Sequence, residues 1–201
     1  IGQFGGGHNL SEAHTPLIIE RKGLRIALLG YNEFMPRSFE ADYNAPGSAW
    51  SEDERVVADI RAARRVHKAD LVIPVMHWGW ENELTANTRQ RQLARTMIDA
   101  GADVIIGGHP HVTQDIEHYR GKPIIYSVGN FVMKETDNAN QRKGWVLRLL
   151  LDKAGVVGFD TVVAHIDMDG IPSPEADAPS PCWSRGQAEV GSCLTRTSPP
   201  R

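Results

Sequence analysis

Three histidines directly follow two short apolar segments that have the composition of buried β-strands. Residues 70–76 lead into His77, and residues 103–106 are followed by His109 and His111. In open α/β sheets, ligands bind in the crevice beyond the carboxyl ends of the strands. Neutral imidazoles are good ligands for Zn²⁺, Mn²⁺ and Fe ions. The spacing therefore predicts that these three imidazoles meet in one crevice and hold a metal ion.

The residues next to His109 and His111 either increase or restrict the freedom of the backbone. Gly107 and Gly108 permit a close approach of another backbone or a positive φ. Pro110 restricts φ and stiffens the link between the two histidines. In an extended segment, side chains two residues apart point to the same side. We therefore expect His109 and His111 to face the same crevice; the alternative is a polar turn whose histidines are structural.

The other five histidines need no functional role. His67 stands at the end of a predicted helix, where a partial positive charge is mildly favourable. His118 and His165 fall on predicted strands and are expected to be exposed.

Hydrophobic periodicity predicts the elements that position the three candidate ligands. Helical spacing indicates two helices, at about residues 51–67 and 88–100, and Ser51 with Glu54 is typical of a capping box at the start of the first. Apolar, β-branched runs predict strands at residues 16–20, 24–31, 70–76, 103–106, 113–119, 123–128, 144–151 and 156–166. The strand–helix–strand order around the second helix implies a parallel pair with a right-handed crossover. The strands after His111 are expected to be antiparallel, so the sequence predicts an α/β fold.

Length and composition fit one domain followed by a tail. The chain has 201 residues, a net charge of −3 and no apolar run long enough to span a bilayer, so we expect neither a nucleic-acid surface nor a membrane span. Residues 1–170 are assigned to the domain, and residues 171–201, rich in proline, are expected to be a disordered tail. Cys182 and Cys193 either form a disulfide in an oxidising compartment or remain two free thiols.

Several segments resemble one protein family. They are HWGWE at residues 77–81, DAGADVIIGGHPH at residues 99–111 and IYSVGNF at residues 125–131. Together they resemble the CapA capsule-synthesis family, which is associated with poly-γ-glutamate production and belongs to the metallophosphoesterase (calcineurin-like) superfamily. GGGHNLSEAHTP at residues 5–16 also looks like the GAGxNxxxAxxP segment of this family. The resemblance extends from Gly5 to Ile166.

This resemblance implies a role for each candidate residue. His77 matches the isolated histidine ligand of the superfamily's fourth motif. His109 and His111 match its final GHxH pair, with one ligand on each of two divalent ions, which would be Mn, Zn or Fe. Glu81 is expected to act as a general base on a metal-bound water; the alternative is an exposed loop carboxylate.

Two asparagines are expected near the substrate. Asn130, in the GNF segment, matches a family position close to the site and is expected to contact substrate or to support a ligand. Asn9, in the GAGxNxxxAxxP-like segment, is also expected to contact substrate.

The chain departs from the superfamily pattern in one respect. The superfamily takes Asp and Asn ligands from GD and NNH motifs in its N-terminal half, and neither motif occurs here. We therefore expect the chain to hold the second half of a four-layer α/β/β/α metallophosphoesterase-like sandwich, with one sheet and its helices. Any membrane anchor would lie upstream of residue 1, and the isolated 201 residues are expected to hydrolyse weakly or not at all.

The resemblance implies a cell-envelope protein that acts on a phosphoester or on an anionic polymer. The reaction would be phosphoester hydrolysis, or cleavage or transfer on a poly-γ-glutamyl chain. The alternative is a non-catalytic envelope protein that binds or exports an anionic polymer. A third interpretation is an α/β domain whose histidines are only structural.

Overall fold

A computed structural model describes residues 1–34, 36–133, 137–175 and 177–194. In chain order the elements are β1 (Gly6–Gly7), α1 (Leu10–Ala13), β2 (Leu17–Arg21), β3 (Leu24–Asn32), a 3₁₀ helix (Arg37–Phe39), β4 (Gly47–Ser48), α2 (Asp53–Arg65), β5 (Leu71–His77), α3 (Thr88–Ala100), β6 (Ile105–Gly108), β7 (Ile116–Tyr119), β8 (Lys122–Ile125), β9 (Lys143–Asp152), β10 (Gly155–Ile166), β11 (Pro172–Pro174), β12 (Pro179–Ser184) and β13 (Gly191–Leu194). No helix in these ranges is both long and apolar enough to cross a membrane.

The larger sheet has six strands in the order β2-β3-β5-β6-β8-β7. The inner pairs β3–β5, β5–β6 and β6–β8 are parallel, and the outer pairs β2–β3 and β7–β8 are antiparallel. The predicted parallel pair is therefore present. The expectation of purely antiparallel strands after His111 is wrong for β8, because the chain first forms the edge strand β7 and then returns beside β6.

The two long helices cover one face of this sheet. Each helix buries one apolar side, formed by Val56, Ile60 and Ala63 in α2 and by Leu93, Ala94, Met97 and Ile98 in α3. These side chains join the inward-facing residues of β3, β5, β6 and β8 in one buried cluster. Burial of this surface is the main stabilising contribution, at roughly 25 cal/mol per Å² of apolar area.

The second sheet packs on the opposite face of the first. β10 pairs with β9, β11 and β12, and β12 pairs with β13, all antiparallel. Phe159 and Trp183 from this sheet share a buried cluster with Ile73 and Ile125 from the first sheet. The described residues thus form three layers in the order α/β/β, which confirms the α/β class. The chain holds two facing sheets, whereas the sequence led us to expect one.

Residues 172–175 and 177–194 differ from the disordered tail expected there. They form β11 to β13, and Trp183 on β12 is only 4% exposed. Three of the prolines, Pro172, Pro174 and Pro179, fit because they lie at strand ends, where a missing N–H is tolerated. Cys182 and Cys193 form a disulfide between β12 and β13. Residues 195–201 of the predicted tail lie outside the described residues.

His118 lies between the two sheets. Its side chain is half-buried, whereas the sequence led us to expect an exposed one. Its ring lies 4.5 Å from the ring of Trp183, centroid to centroid, and its Nε2 atom is buried with no hydrogen-bond partner in the part of the chain that the structure describes. Desolvation lowers the pKa of His118 below its ordinary value. The neutral form of the ring is therefore the one that fits the interface between the sheets.

We expect the free energy of unfolding to decrease as the pH falls below the ordinary histidine pKa of 6.5. Below that pH the unfolded chain binds a proton at residue 118 more readily than the folded protein does. The contribution of the neutral ring is therefore present above pH 6.5 and is lost progressively on acidification. Urea unfolding between neutral and mildly acidic pH will measure this trend.

The control for this prediction separates His118 from the other histidines. His118→Asn removes the stacking on Trp183 at every pH but also removes this part of the pH dependence. His165→Asn, at an exposed position on β10, should keep the wild-type pH dependence. A His118→Asn protein with an unchanged pH dependence would contradict the prediction.

Candidate metal centre

His77 and His109 lie side by side because the two parallel strands β5 and β6 end next to each other. β5 and β6 pair in a register that sets His77 opposite Gly108, so His109 follows directly beside His77. The ring centroids of His77 and His109 are 4.5 Å apart, and those of His109 and His111 are 5.8 Å apart. The structure therefore brings the three predicted imidazoles together at the carboxyl end of the sheet.

Glu81 reaches the same place from the loop after β5. One carboxylate oxygen of Glu81 and one ring nitrogen each of His109 and His111 all lie within 4.8 Å of one another. His77 lies beside this trio, on His109. Side chains of these types at this spacing are able to hold a metal ion.

The two neighbouring histidines are not on an extended segment, as the sequence suggested. His109 has φ of 98° and His111 has φ of 60°, both in the left-handed region that non-glycine residues seldom adopt. Such conformations cost of order 1–3 kcal/mol each and are concentrated at functional sites. The rings face one crevice because the backbone turns at both residues.

The environment keeps the central imidazole neutral. Burial, followed by the neighbouring rings of His77 and His111, lowers the pKa of His109 to about 4, and Glu81 partly opposes this decrease. Burial and then His111 also lower the pKa of His77. Neutral imidazole is the form that binds metal ions, so these two residues are ready to act as ligands at neutral pH.

One buried atom of His109, Nε2, lacks a hydrogen-bond partner among the described residues. The Phe34 ring packs on His109 with 4.0 Å between ring centroids. An unpaired buried nitrogen is costly, and a metal ion held with Glu81 and His111 would satisfy it. The donor set therefore fits a divalent cation.

Comparison with known families identifies the chain. The family model described as bacterial capsule synthesis protein PGA_cap matches residues 1–135. The chain belongs to this family. The matched range contains the three histidines, Glu81 and Asn130.

The relatives of this PGA_cap family member include proteins from two Bacillus species. It is 38% identical over 172 residues to the PGA biosynthesis protein CapA of Bacillus subtilis (strain 168), a match that covers 85% of the chain and 44% of the relative. It is 34% identical over 180 residues to the capsule biosynthesis protein CapA of Bacillus anthracis, covering 89% of the chain and 43% of the relative. The chain spans less than half the length of these curated relatives.

The solved structures that it resembles are more distant. Sulfate thiohydrolase SoxB of Thermus thermophilus, solved with glycerol, matches with a TM-score of 0.48 and 16% identity, covering 74% of the chain and 24% of SoxB. A hypothetical protein, also from Thermus thermophilus, matches with a TM-score of 0.40 and 17% identity, covering 85% of the chain and 62% of that protein. Likenesses at this level support no inference about function.

In this PGA_cap chain, Asn130 supports a histidine directly. Its Oδ1 atom lies 2.9 Å from Nδ1 of His111, and its Nδ2 donates to the carbonyl of Gln141 at 2.9 Å. An amide oxygen only accepts, so Nδ1 of His111 carries the proton and Nε2 is left free for a metal ion. A role of Asn130 in substrate contact stays a prediction, and the geometry gives it a positioning role.

Asn9 lies elsewhere in the chain. Its Oδ1 accepts a hydrogen bond from the Glu12 backbone N–H at 3.0 Å and so caps α1. It also lines a cavity of about 440 Å³ together with His14 and Asp59, and none of the three site histidines lines that cavity. The structure thus does not bring Asn9 to the metal centre, and its predicted role in substrate binding is untested.

Sequence reasoning missed Asn82, which holds the loop of Glu81 against the histidines. The backbone N–H of Asn82 donates to the Pro110 carbonyl at 2.8 Å, and its Oδ1 accepts from Gln141 Nε2 at 2.7 Å. Asn82 has φ of 67°. An asparagine in a polar loop, tolerant of positive φ, was the only available signal, and that signal is weak.

Proposed function

We propose that this chain carries a divalent-metal site of hydrolase type in a protein of capsule or poly-γ-glutamate biosynthesis. The observation that carries the proposal is the cluster of Glu81, His109 and His111, whose ligand atoms lie within 4.8 Å of one another. The Nε2 atom of His109, which is buried with no hydrogen-bond partner in the described part of the chain, supports it. The names of the two Bacillus relatives supply the biological setting.

The chemistry of the proposed site follows from its side chains. A divalent cation bound there would act as a Lewis acid and lower the pKa of a bound water toward about 7. His77 and His109 are neutral at this pH because their pKa values are lowered. Asn130 fixes the tautomer of His111 and leaves its Nε2 for the ion. Imidazole and carboxylate ligands suit Zn, Mn or Fe, and we propose two such ions in the complete protein.

The proposed substrate is a phosphoester or an anionic polymer of the poly-γ-glutamate type. Both present negatively charged oxygens of the kind that a divalent cation binds. We also propose that the protein works at the cell envelope, outside the cytoplasm. The disulfide between Cys182 and Cys193 supports this location, because disulfides persist in oxidising compartments.

Removal of the metal tests the proposed function. A protein of the relatives' length that contains this chain is expected to hydrolyse a generic aryl phosphodiester and to lose that activity on treatment with a chelator. Addition of Mn²⁺ or Zn²⁺ should restore the rate. The measurements are metal content by elemental analysis and the rate of aryl alcohol release.

Two results would contradict the proposal. One is a purified protein without bound metal that also fails to bind added Mn²⁺, Zn²⁺ or Fe²⁺. The other is a metal-loaded protein that hydrolyses neither the phosphodiester nor poly-γ-glutamate. That second result would favour the non-catalytic alternative, in which the protein binds or exports an anionic polymer.

A further inference from the structure

We propose that a second site, separate from the candidate metal centre, binds a small amino acid in its zwitterionic form. The site is the cavity of about 440 Å³ that is bordered by α1 and α2. Asp59 and His14 would bind the ammonium group of the ligand, and Arg55 would bind its carboxylate. The four candidate metal ligands lie outside the lining of this cavity, so the proposal does not rest on the proposed function.

The acidic end of the cavity is built around Asp59 on α2. Its Oδ2 lies 2.6 Å from Nδ1 of His14 and accepts from the Tyr31 hydroxyl at 3.0 Å. Burial, followed by the charge of Asp59, raises the pKa of Tyr31 well above its ordinary value, so this hydroxyl keeps its proton and donates. Both hydrogen bonds end on Oδ2, and Oδ1 accepts from none of the residues that the structure describes. Asp59 therefore has one oxygen free for a donor on a ligand.

His14 is a buried polar side chain with one unused nitrogen. The side chain is 8% exposed and lines the cavity. A carboxylate only accepts hydrogen bonds, so Nδ1 of His14 carries the proton toward Asp59, and Nε2 of the neutral ring is an acceptor. This Nε2 is buried, and no partner for it occurs in the described ranges. An acceptor without a donor, on a ring bonded to Asp59, favours a ligand with several N–H groups, and an ammonium group has three.

Arg55 supplies the opposite charge at the same cavity. It lies one helical turn before Asp59 on α2, is exposed and lines the cavity. Within the described ranges its guanidinium has no ion-pair partner. Residues four apart on a helix have Cβ atoms about 5–6 Å from each other, and a guanidinium matches a carboxylate as a bidentate partner. A molecule whose ammonium and carboxylate are bonded to the same carbon can therefore reach both Arg55 and Asp59.

The rest of the lining favours an organic ligand over a bare ion. Leu10, Pro16 and Ala62 add apolar surface, against which an apolar side chain can pack. Within the described residues, the one group of three or more side chains spaced to hold a metal ion is the cluster at the candidate metal centre. The cavity therefore suits a small amino acid with an apolar side chain better than a second metal ion.

The test is a calorimetric titration of the 201-residue chain with L-leucine, in the presence of EDTA so that no metal ion takes part. L-Leucine has both charges and an apolar side chain. Leucinamide lacks the carboxylate, and 4-methylpentanoate lacks the ammonium group. We expect saturable binding of L-leucine and at least about tenfold weaker binding of each analogue, because each loses a hydrogen bond between charged groups.

Three variants show which side chain binds which end of the ligand. Arg55→Gln should weaken L-leucine binding by about tenfold or more and leave leucinamide binding unchanged, since leucinamide has no carboxylate for Arg55. Asp59→Asn should weaken L-leucine binding to a similar extent and leave 4-methylpentanoate binding unchanged, since that analogue has no ammonium group. Arg61→Gln is the matched control, because Arg61 is exposed on α2 but does not line the cavity. It should bind L-leucine within about twofold of wild type.

Several outcomes would overturn the proposal. They are the absence of saturable L-leucine binding at millimolar concentrations, equal affinities for L-leucine and 4-methylpentanoate, and equal losses in Arg55→Gln and Arg61→Gln. Asp59→Asn also changes a half-buried hydrogen-bond group, so its fold is checked by urea unfolding, whereas Arg55 is exposed and its variant keeps the test decisive.

The result is distinguishable from the fate of the proposed function. His109→Ala should bind L-leucine as wild type does, because His109 lies outside the cavity. A loss of L-leucine binding in His109→Ala would place the ligand at the candidate metal centre and would overturn the second site. A failure of the chain to bind metal ions would leave the expected L-leucine titration unchanged.

Discussion

Replacement of His109 by alanine is expected to weaken Zn²⁺ or Mn²⁺ binding by at least about 100-fold, because the central ligand of the cluster is removed. His109 is 8% exposed, lies between Phe34 and His77, and shares its ligand space with Glu81 and His111. Calorimetric titration of the 201-residue chain measures the loss. The phosphodiester assay on the longer protein should show a parallel loss of activity.

The fold itself should tolerate this change. The Nε2 atom that alanine removes is buried with no partner among the residues that the structure describes, and its desolvation is a cost to the metal-free protein. Urea unfolding of metal-free His109→Ala is therefore expected to give a midpoint close to that of wild type. His165→Ala, on the exposed side of β10, should change neither binding nor stability. Equal metal affinity in the two variants would show that the cluster does not bind metal.

The second large effect is expected at Gly107, where an added methyl group has no room. A Cβ atom there would lie 2.0 Å from the carbonyl oxygen of Tyr126 and 2.4 Å from Nε1 of Trp78. These two atoms are joined by a hydrogen bond of 2.9 Å, and both residues are buried. Gly107→Ala must break that hydrogen bond or move β6 away from β8, and overpacking of this kind costs about 3 kcal/mol.

Gly108 offers a matched control in the adjacent position. Apart from Gly108 itself and its two chain neighbours, no atom of the described residues lies within 4 Å of a Cβ built on Gly108. Gly108→Ala is therefore expected to change the free energy of unfolding by less than about 1 kcal/mol. Urea unfolding, followed by tryptophan fluorescence, compares the two variants. A similar stability for both would mean that β6 moves freely at this point and that the close approach is not required.

The comparison of Gly107 and Gly108 shows how far the sequence motif predicts the role of each glycine. The pair before His109 suggested either close approach or positive φ at both positions. Close approach applies to Gly107 alone, and the left-handed conformation occurs instead at His109 and His111. The difference between the two glycines arises because Trp78 and Tyr126 lie against Gly107. Tyr126 is 19 residues away from Gly107 in the sequence.

The helix ends also show which features follow from the local sequence and which depend on tertiary contacts. Helix α3 begins and ends where the sequence predicts, because its cap residues Asn87 and Gly101 act within a few residues of the helix. Helix α2 begins at Asp53 rather than at Ser51, and the predicted capping box is wrong. The hydroxyl of Ser51 donates to Glu33 at 2.6 Å, so a contact across 18 residues replaces the local one.

The sequence by itself determined the fold class, most of the strands and the three histidines at two strand ends. It could do so because hydrophobic periodicity is a local property, and because parallel neighbours end at the same edge of a sheet. Only the tertiary structure decided that Glu81 joins the histidines, that Asn130 orients His111 and that β11, β12 and β13 complete the second sheet. Those features depend on hydrogen bonds and packing between segments far apart in the chain, and no local pattern of residue types records which distant segments will meet.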